Sequence, residues 1–194
     1  MRKSFVLGSF LAGVMAAGAA PAAVVPVTVS ATGTYSGNLA VLNDGVVPAN
    51  GSNYNAPDKV AFTAFGNAVF RFDFGGLATI DSLLATVDNN DDYQFRFFDG
   101  AGALLASVAI TGPEGSVGYG VETFTRAFAP VSGAAYALVT ASGGDSLYGL
   151  GEVQFNGTLA APGVPEPATW AMLIGGFGVV GGAARRRTAR VVAA

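Results

Sequence analysis

The densest set of metal-capable oxygens in the chain is Asp88-Asn89-Asn90-Asp91-Asp92. Asp88, Asn90 and Asp92 have the D-x-N-x-D spacing that curls side-chain oxygens around Ca²⁺, and Asp99 stands at the twelfth position of such a loop, where a bidentate acid closes the shell. Position six of that loop needs glycine for its sharp turn and is Tyr93, and the residues after it alternate as a strand. A helix–loop–helix Ca²⁺ site is therefore excluded. Two readings stay open: a Ca²⁺ site at the edge of a β-sandwich, and a solvated acidic turn that needs no metal. The rest of the chemical alphabet is thin. There is no Cys and no His, which removes disulfides, thiolate metal sites, the Ser-His-Asp triad and the commonest zinc ligand. Glycoside hydrolysis needs only a pair of carboxylates, but nothing singles out two of the acids, so no catalytic residue is assigned.

Four tyrosines in polar or Gly-rich stretches, Tyr35, Tyr54, Tyr119 and Tyr148, are expected to be exposed and are the candidates for stacking on a saccharide. Arg71 and Asp73 share a strand face that Arg96 can also reach, a pattern that predicts a surface salt-bridge ladder of small energetic value.

The elements that must position these residues are short strands. Phe70, Phe72 and Phe74 alternate with Arg71 and Asp73; Tyr93, Phe95 and Phe97 alternate with Gln94 and Arg96; Val153 and Phe155 alternate with Glu152, Gln154 and Asn156. This period of two puts the aromatic residues on a core face and the polar ones outside. Further strands are expected at 24–29, 80–87, 104–110, 123–128 and 136–140, with a hairpin at Asp99-Gly100-Ala101-Gly102 and longer loops at 112–120 and 142–151. No window between the termini sustains a 3.6-residue stripe. The fold class is all-β: an antiparallel β-sandwich or jelly roll over 23–160.

Charge is segregated along the chain. Arg2 and Lys3 begin it, and Arg185, Arg186, Arg187 and Arg190 lie near its end. Between them lie only Lys59, Arg71, Arg96 and Arg126, against twelve acids from Asp44 to Glu152, a net of −8 for that stretch, so nucleic acid is not a partner the body is built for. Residues 1–22 read as a signal peptide, with a basic start, an apolar run and an Ala20-Pro21-Ala22 cleavage site. At the other end 168–184 is an uncharged run of 17 residues, about 25 Å as a helix and the short limit for one transmembrane span. Trp170 suits the outer interface, and the basic tail 185–190 holds the inner end in the cytoplasm.

Val164-Pro165-Glu166-Pro167 precedes that helix, and its two prolines make it an extended handle above the membrane. This handle, followed by Trp170, a Gly-rich apolar helix and the Arg185-Arg186-Arg187 cluster, resembles the PEP-CTERM sorting signal over 164–187, within a C-terminal segment that spans 161–194. The resemblance implies a Gram-negative export route and processing by an exosortase, a membrane-embedded enzyme, in organisms that make exopolysaccharide. It makes Pro165, Glu166 and Pro167 the recognition element and the arginines the stop. The chain departs from the pattern by continuing for seven residues past Arg187.

The body is similar, in Asn43-Asp44-Gly45, Asp73-Phe74-Gly75, Phe97-Phe98-Asp99-Gly100 and Glu152-Val153-Gln154-Phe155-Asn156-Gly157, to discoidin-type, galactose-binding-like jelly rolls. That resemblance implies a binding module for carbohydrate, lipid or protein with variable loops at one end, and carries over no binding residue. The expectation is an exported, exosortase-sorted protein of the cell surface or extracellular matrix, non-enzymatic, structural or adhesive, able to bind polysaccharide and needing no cofactor. The alternatives are a Ca²⁺-dependent carbohydrate-binding module and a secreted hydrolase.

Overall fold

The structure, a computed structural model, describes residues 23–25, 27–112, 115–160 and 172–177. Among the described residues nine strands follow one another: β1 (Ala23–Val24), β2 (Thr28–Thr32), β3 (Tyr35–Ser36), β4 (Val60–Thr63), β5 (Val69–Asp88), β6 (Asp92–Phe98), β7 (Leu104–Ile110), β8 (Val121–Ser142) and β9 (Leu147–Leu159). Short 3₁₀ turns occupy Leu39–Leu42 and Ala64–Gly66. All the pairings are antiparallel, so the all-β expectation holds for these residues.

Two long strands, β5 and β8, each serve both layers. Phe70–Asp73 pairs with β2 on one side and with Tyr136–Val139 on the other, and that part of β8 continues to β6 and β7. Beyond the bend, Ala78–Asp88 pairs with Val121–Ala134 and with β9, which in turn pairs with β4 and β1. The bend falls where the register shifts between Asp73 and Ala78, at Gly75 (φ +69°), and opposite it at Gly133 (φ +80°). Both φ values lie in the left-handed region that glycine enters at little cost. The expected strands at 69–74 and 80–87 are thus one bent strand, as are those at 123–128 and 136–140, because a glycine bulge re-aims a strand without ending it.

The aromatic residues of the two layers meet face to face. Phe155 of β9 takes Phe72, Phe74 and Phe97 from the other layer at ring centroid distances of 5.5, 5.3 and 5.8 Å, and Phe62 meets Phe70 at 4.9 Å. Phe70, Phe72, Phe74, Phe95, Phe97 and Phe155 are all buried, as their alternation predicts. Each edge-to-face pair adds about 0.5–1.5 kcal/mol to the burial itself.

Several expectations change. The strand expected at 24–29 is two, β1 and β2, and β3 and β4, of two and four residues, are too short for an alternation to be seen. The loop expected at 142–151 ends at Ser146, and Gly149 and Gly151 lie inside β9, where Gly149 lets the backbone of Tyr54 approach and Gly151 makes room for Pro48. Glu152 lies on the face opposite Val153 and Phe155 as the alternation requires, but it is covered there, 2% exposed, and accepts hydrogen bonds from Gly45 N (3.2 Å) and Gln154 Nε2 (3.0 Å). Tyr148 is buried rather than exposed, packed on Phe62 at 5.2 Å.

Arg71 and Asp73 form the expected surface pair, 2.6 Å apart, and Arg71 lies 3.5 Å over the ring of Tyr136, which stacks on Phe98. Arg96 is not part of that pair: Leu138 stands between it and Arg71 in the register.

The signal peptide, the handle Val164-Pro165-Glu166-Pro167, Trp170 and Arg185, Arg186 and Arg187 lie outside the described residues. Of the segment 168–184, residues 172–177 form a helical turn with Met172, Leu173, Ile174 and Phe177 exposed. Among the described residues no helix is long and apolar enough to cross a membrane.

Candidate functional site

The loops at one end of the sandwich converge on a cleft of about 360 Å³. It is lined by Asn53 and Tyr54 from the segment before β4, Asp88, Asn89 and Asn90 from the β5–β6 turn, Gly118, Tyr119 and Gly120 from the β7–β8 loop, and Asp145 from the β8–β9 turn. These residues are far apart in sequence and meet because antiparallel strands return their loops to the same end.

Each wall is fixed by backbone or buried side-chain hydrogen bonds. Tyr93, fully buried, donates through its hydroxyl to Gly149 O (2.8 Å) and accepts from Gly149 N (3.1 Å) and Asp88 N (3.3 Å). The residue that spoils the helix–loop–helix pattern therefore ties the β5–β6 turn to β9, and burial pushes its phenol well up. Glu122 accepts from Ser116 N (2.7 Å), Ser116 Oγ (2.6 Å) and Val117 N (3.1 Å), and these donors hold its carboxyl below the usual range. Asn89 Nδ2 donates to Val117 O, joining that loop to the acidic turn. The 49–52 segment is paired to β8 through Gly51 N to Val121 O (2.8 Å) and Val121 N to Ser52 O (3.0 Å). Lys59 Nζ, buried, pins the same segment through Ser52 Oγ (3.0 Å) and Asp58 (2.6 Å).

On this scaffold Tyr119 is 75% exposed, Asn53, Asn90 and Asp145 are exposed, and Tyr54 is half-buried. The other tyrosines singled out from the sequence lie elsewhere: Tyr35 packs edge-on against Phe70 at 5.8 Å, and Tyr148 is in the core.

The acidic turn is electrostatically loaded. Asp91 is 1% exposed and its Oδ1 has no hydrogen-bond partner. Burial, and then the charges of Asp88, Asp145 and Asp92, push its carboxyl up to about 7. Burial likewise raises Asp88, against the hydrogen bond it takes from the Asn89 backbone. In the orientation that satisfies both neighbours, the Asn90 amide donates to Asp88 Oδ1 (3.0 Å) and Asp91 Oδ2 (3.3 Å).

The residues read as Ca²⁺ ligands separate. Asp88 and Asn90 line the cleft, while Asp92 Oδ1 accepts from Gly112 N (3.1 Å). Asp99 stands at the far end of β6, about 23 Å away at the usual rise per residue, where its Oδ1 accepts from Ala101 N (2.9 Å) and Ala103 N (2.8 Å) and closes the expected hairpin. A strand intervenes where a loop would be needed. Asp99 is therefore too distant to share one ion with Asp88, Asn90 and Asp92, and among the described residues no group of three or more Asp or Glu is placed to hold a metal ion. The cleft residues that sequence reasoning missed are Asn53 and Asp145, whose flanking sequence carries no signal beyond that of an ordinary turn.

With the geometry in view, comparison with known proteins adds two findings. Residues 163–187 match the PEP-CTERM protein-sorting motif. The body, in turn, shares its fold with solved sugar-binding domains. The lectin domain of Lectinolysin complexed with Lewis B antigen aligns at TM-score 0.52 and 16% identity over 70% of this chain and 94% of that one. A histidine mutant of the same domain, complexed with Lewis b, gives 0.53 and 16% over 68% and 92%. The family 32 carbohydrate-binding module of C. perfringens NanJ, in complex with galactose, gives 0.48 and 18% over 70% and 98%. A search of curated proteins finds no match. The chain thus carries the sorting motif on a discoidin-like β-sandwich, as both resemblances implied.

Proposed function

We propose that this protein is exported, processed by an exosortase through its C-terminal signal, and displayed at the cell surface or in the extracellular matrix, where its β-sandwich binds polysaccharide without catalysing a reaction. In this reading residues 1–22 are removed on export, 168–184 cross the membrane and the arginines remain on the cytoplasmic side. Pro165, Glu166 and Pro167 are what the processing enzyme reads. The matched sorting motif supports the route.

The observation that carries the binding role is the end cleft. Tyr119 offers an open ring face, and Asn53, Asn89, Asn90, Asp88 and Asp145 surround it with groups that hydrogen-bond hydroxyls. Sugars are held by this combination of an aromatic face with a few placed polar groups. The loop end is where discoidin-type modules are variable, and the fold is the one that the Lectinolysin lectin domain uses.

Screening the full-length chain against immobilised bacterial exopolysaccharides tests this. Binding that Tyr119→Ala reduces about tenfold, the loss of one stacking contact, is expected, and binding unchanged by Tyr119→Ala contradicts the assignment. A rise in melting temperature on adding Ca²⁺ would favour the Ca²⁺-dependent module instead, and release of reducing ends from the polysaccharide would favour the hydrolase.

A further inference from the structure

We infer that the end cleft is one half of a longer groove, and that its ligand is an internal stretch of a polysaccharide chain that crosses Tyr54 into a second cavity walled by Tyr35 and Leu147. This rests on the reading of the cleft as a sugar site and names the part of the polysaccharide that the site takes.

The second cavity, of about 340 Å³, opens at the same end of the sandwich. Two segments of chain run from one cavity to the other. Asn53 and Tyr54 line the first, and Tyr54 and Asn55 the second. Asp145 lines the first, and Leu147, two residues on, lines the second. Tyr54 is therefore a shared wall, and the two cavities are continuous neighbours. Each alone stands near the small end of the range of about 300–1,000 Å³ that ligand pockets occupy, and the pair reaches well into it.

The partition and the far wall are fixed before any ligand arrives. Tyr54 is seated on β9 at Gly149, where a Cβ would come within 2.8 Å of the Tyr54 Cβ, so glycine is what admits the tyrosine. Beyond it, Thr34 N donates to Gly66 O (2.8 Å), and Ala64 N donates to Ser146 O (3.2 Å), which ties the turn after β4 to the turn before β9. Walls set in advance leave less ordering to be done on binding.

The second cavity repeats the make-up of the first without its charge. Tyr35 is half-buried and Leu147 is 38% exposed, while Ser36, Asn55 and Thr63 are exposed and bring two hydroxyls and an amide. Among the described residues no Asp, Glu, Lys or Arg lines it. Hydroxyl and amide groups both donate and accept, as the hydroxyls of an uncharged sugar do. An aromatic ring beside a few placed polar groups is what holds a sugar, and here the combination stands on both sides of Tyr54. A terminal sugar needs one such cavity; a chain passing through seats a unit in each.

The test is calorimetry of the full-length chain in mild detergent. The probes are fragments of one, two, four and six sugar units, cut by partial acid hydrolysis from the exopolysaccharide that the chain retains on screening. Affinity is expected to rise about tenfold from the single sugar to the six-unit fragment, the worth of one further aromatic contact. Leu147→Glu, at the exposed start of β9, and Ser36→Trp, which fills the second cavity from the exposed strand β3, should each remove most of that rise.

A rise that both variants leave intact is the gain of a longer chain offering more registers to one cavity, and would overturn the inference. Affinity that stays level or falls with length, with Tyr119→Ala weakening every fragment, would overturn it too and leave the sugar site standing. Retention of no polysaccharide, or binding untouched by Tyr119→Ala, would overturn the sugar site and the inference together.

Discussion

Replacing Asp91 by Asn should stabilise the protein, and the gain should grow with pH. Asp91 is buried with one oxygen unpaired, and its carboxyl is pushed from 3.8 up to about 7 by burial and by Asp88, Asp145 and Asp92. Between those two values the folded protein binds a proton that the unfolded chain releases. Stability from this group is therefore fully present below about pH 4 and is lost as pH rises through about 7. The gap corresponds to at most about 4 kcal/mol. Asp145, one of the charges that repel Asp91, is exposed and screened by water, which reduces the expected effect to about 2 kcal/mol.

Asparagine keeps the shape and removes the charge. The variant should match the parent near pH 4 and exceed it by about 2 kcal/mol at pH 8, or roughly 6 °C in melting temperature for a body of this size. Thermal unfolding followed by circular dichroism at pH 4, 6 and 8 measures this. A gain of equal size at every pH, or a loss at pH 8, would refute the electrostatic argument.

Phe155→Ala removes the ring on which Phe72, Phe74 and Phe97 converge, and should cost about 3–5 kcal/mol in denaturant unfolding. Glu122→Gln weakens the acceptor that holds Ser116 and Val117; a loss of about 1–2 kcal/mol and faster amide exchange confined to 115–120 are expected. On the outer sheet face Asp73→Ala should change stability by less than about 1 kcal/mol, because the pair with Arg71 is exposed. Tyr136→Ala, which removes the ring between Arg71 and Phe98, should cost more than Asp73→Ala, by about 1 kcal/mol. Replacing Pro165-Glu166-Pro167 by alanines should leave the body folded and block maturation of the precursor, read as an unshifted band on a gel.

How much of this was legible in the sequence depended on the range of the interaction that decides it. The alternation in Phe70–Phe74 and Tyr93–Phe97 is a local signal, and it named the core of both layers correctly because a strand face is set by its own residues. The continuity of β5 through Gly75 and Gly76 was not legible, since a glycine pair marks a loop and a bulge alike. Tyr148 was expected to be exposed and Glu152 to sit on an open face, yet Tyr148 packs on Phe62 and the face of Glu152 is covered at Gly45, partners remote in sequence. In the site, the acidic turn and Tyr119 stood out by composition. Asn53 and Asp145 join them only through the return of antiparallel strands to one end, and Asp99 leaves because β6 is extended where the metal-loop pattern required a coil.

The central claim is that saccharide binds at the loop end of the sandwich. Amide chemical-shift mapping of the ¹⁵N-labelled full-length chain, titrated with the six-unit exopolysaccharide fragment, tests it most directly. Shifts clustered at Asn53, Tyr54, Asp88, Asn89, Asn90, Tyr119 and Asp145 are predicted. Shifts confined to the outer sheet face around Arg71, Arg96 and Tyr136, with those seven amides unmoved, would contradict it.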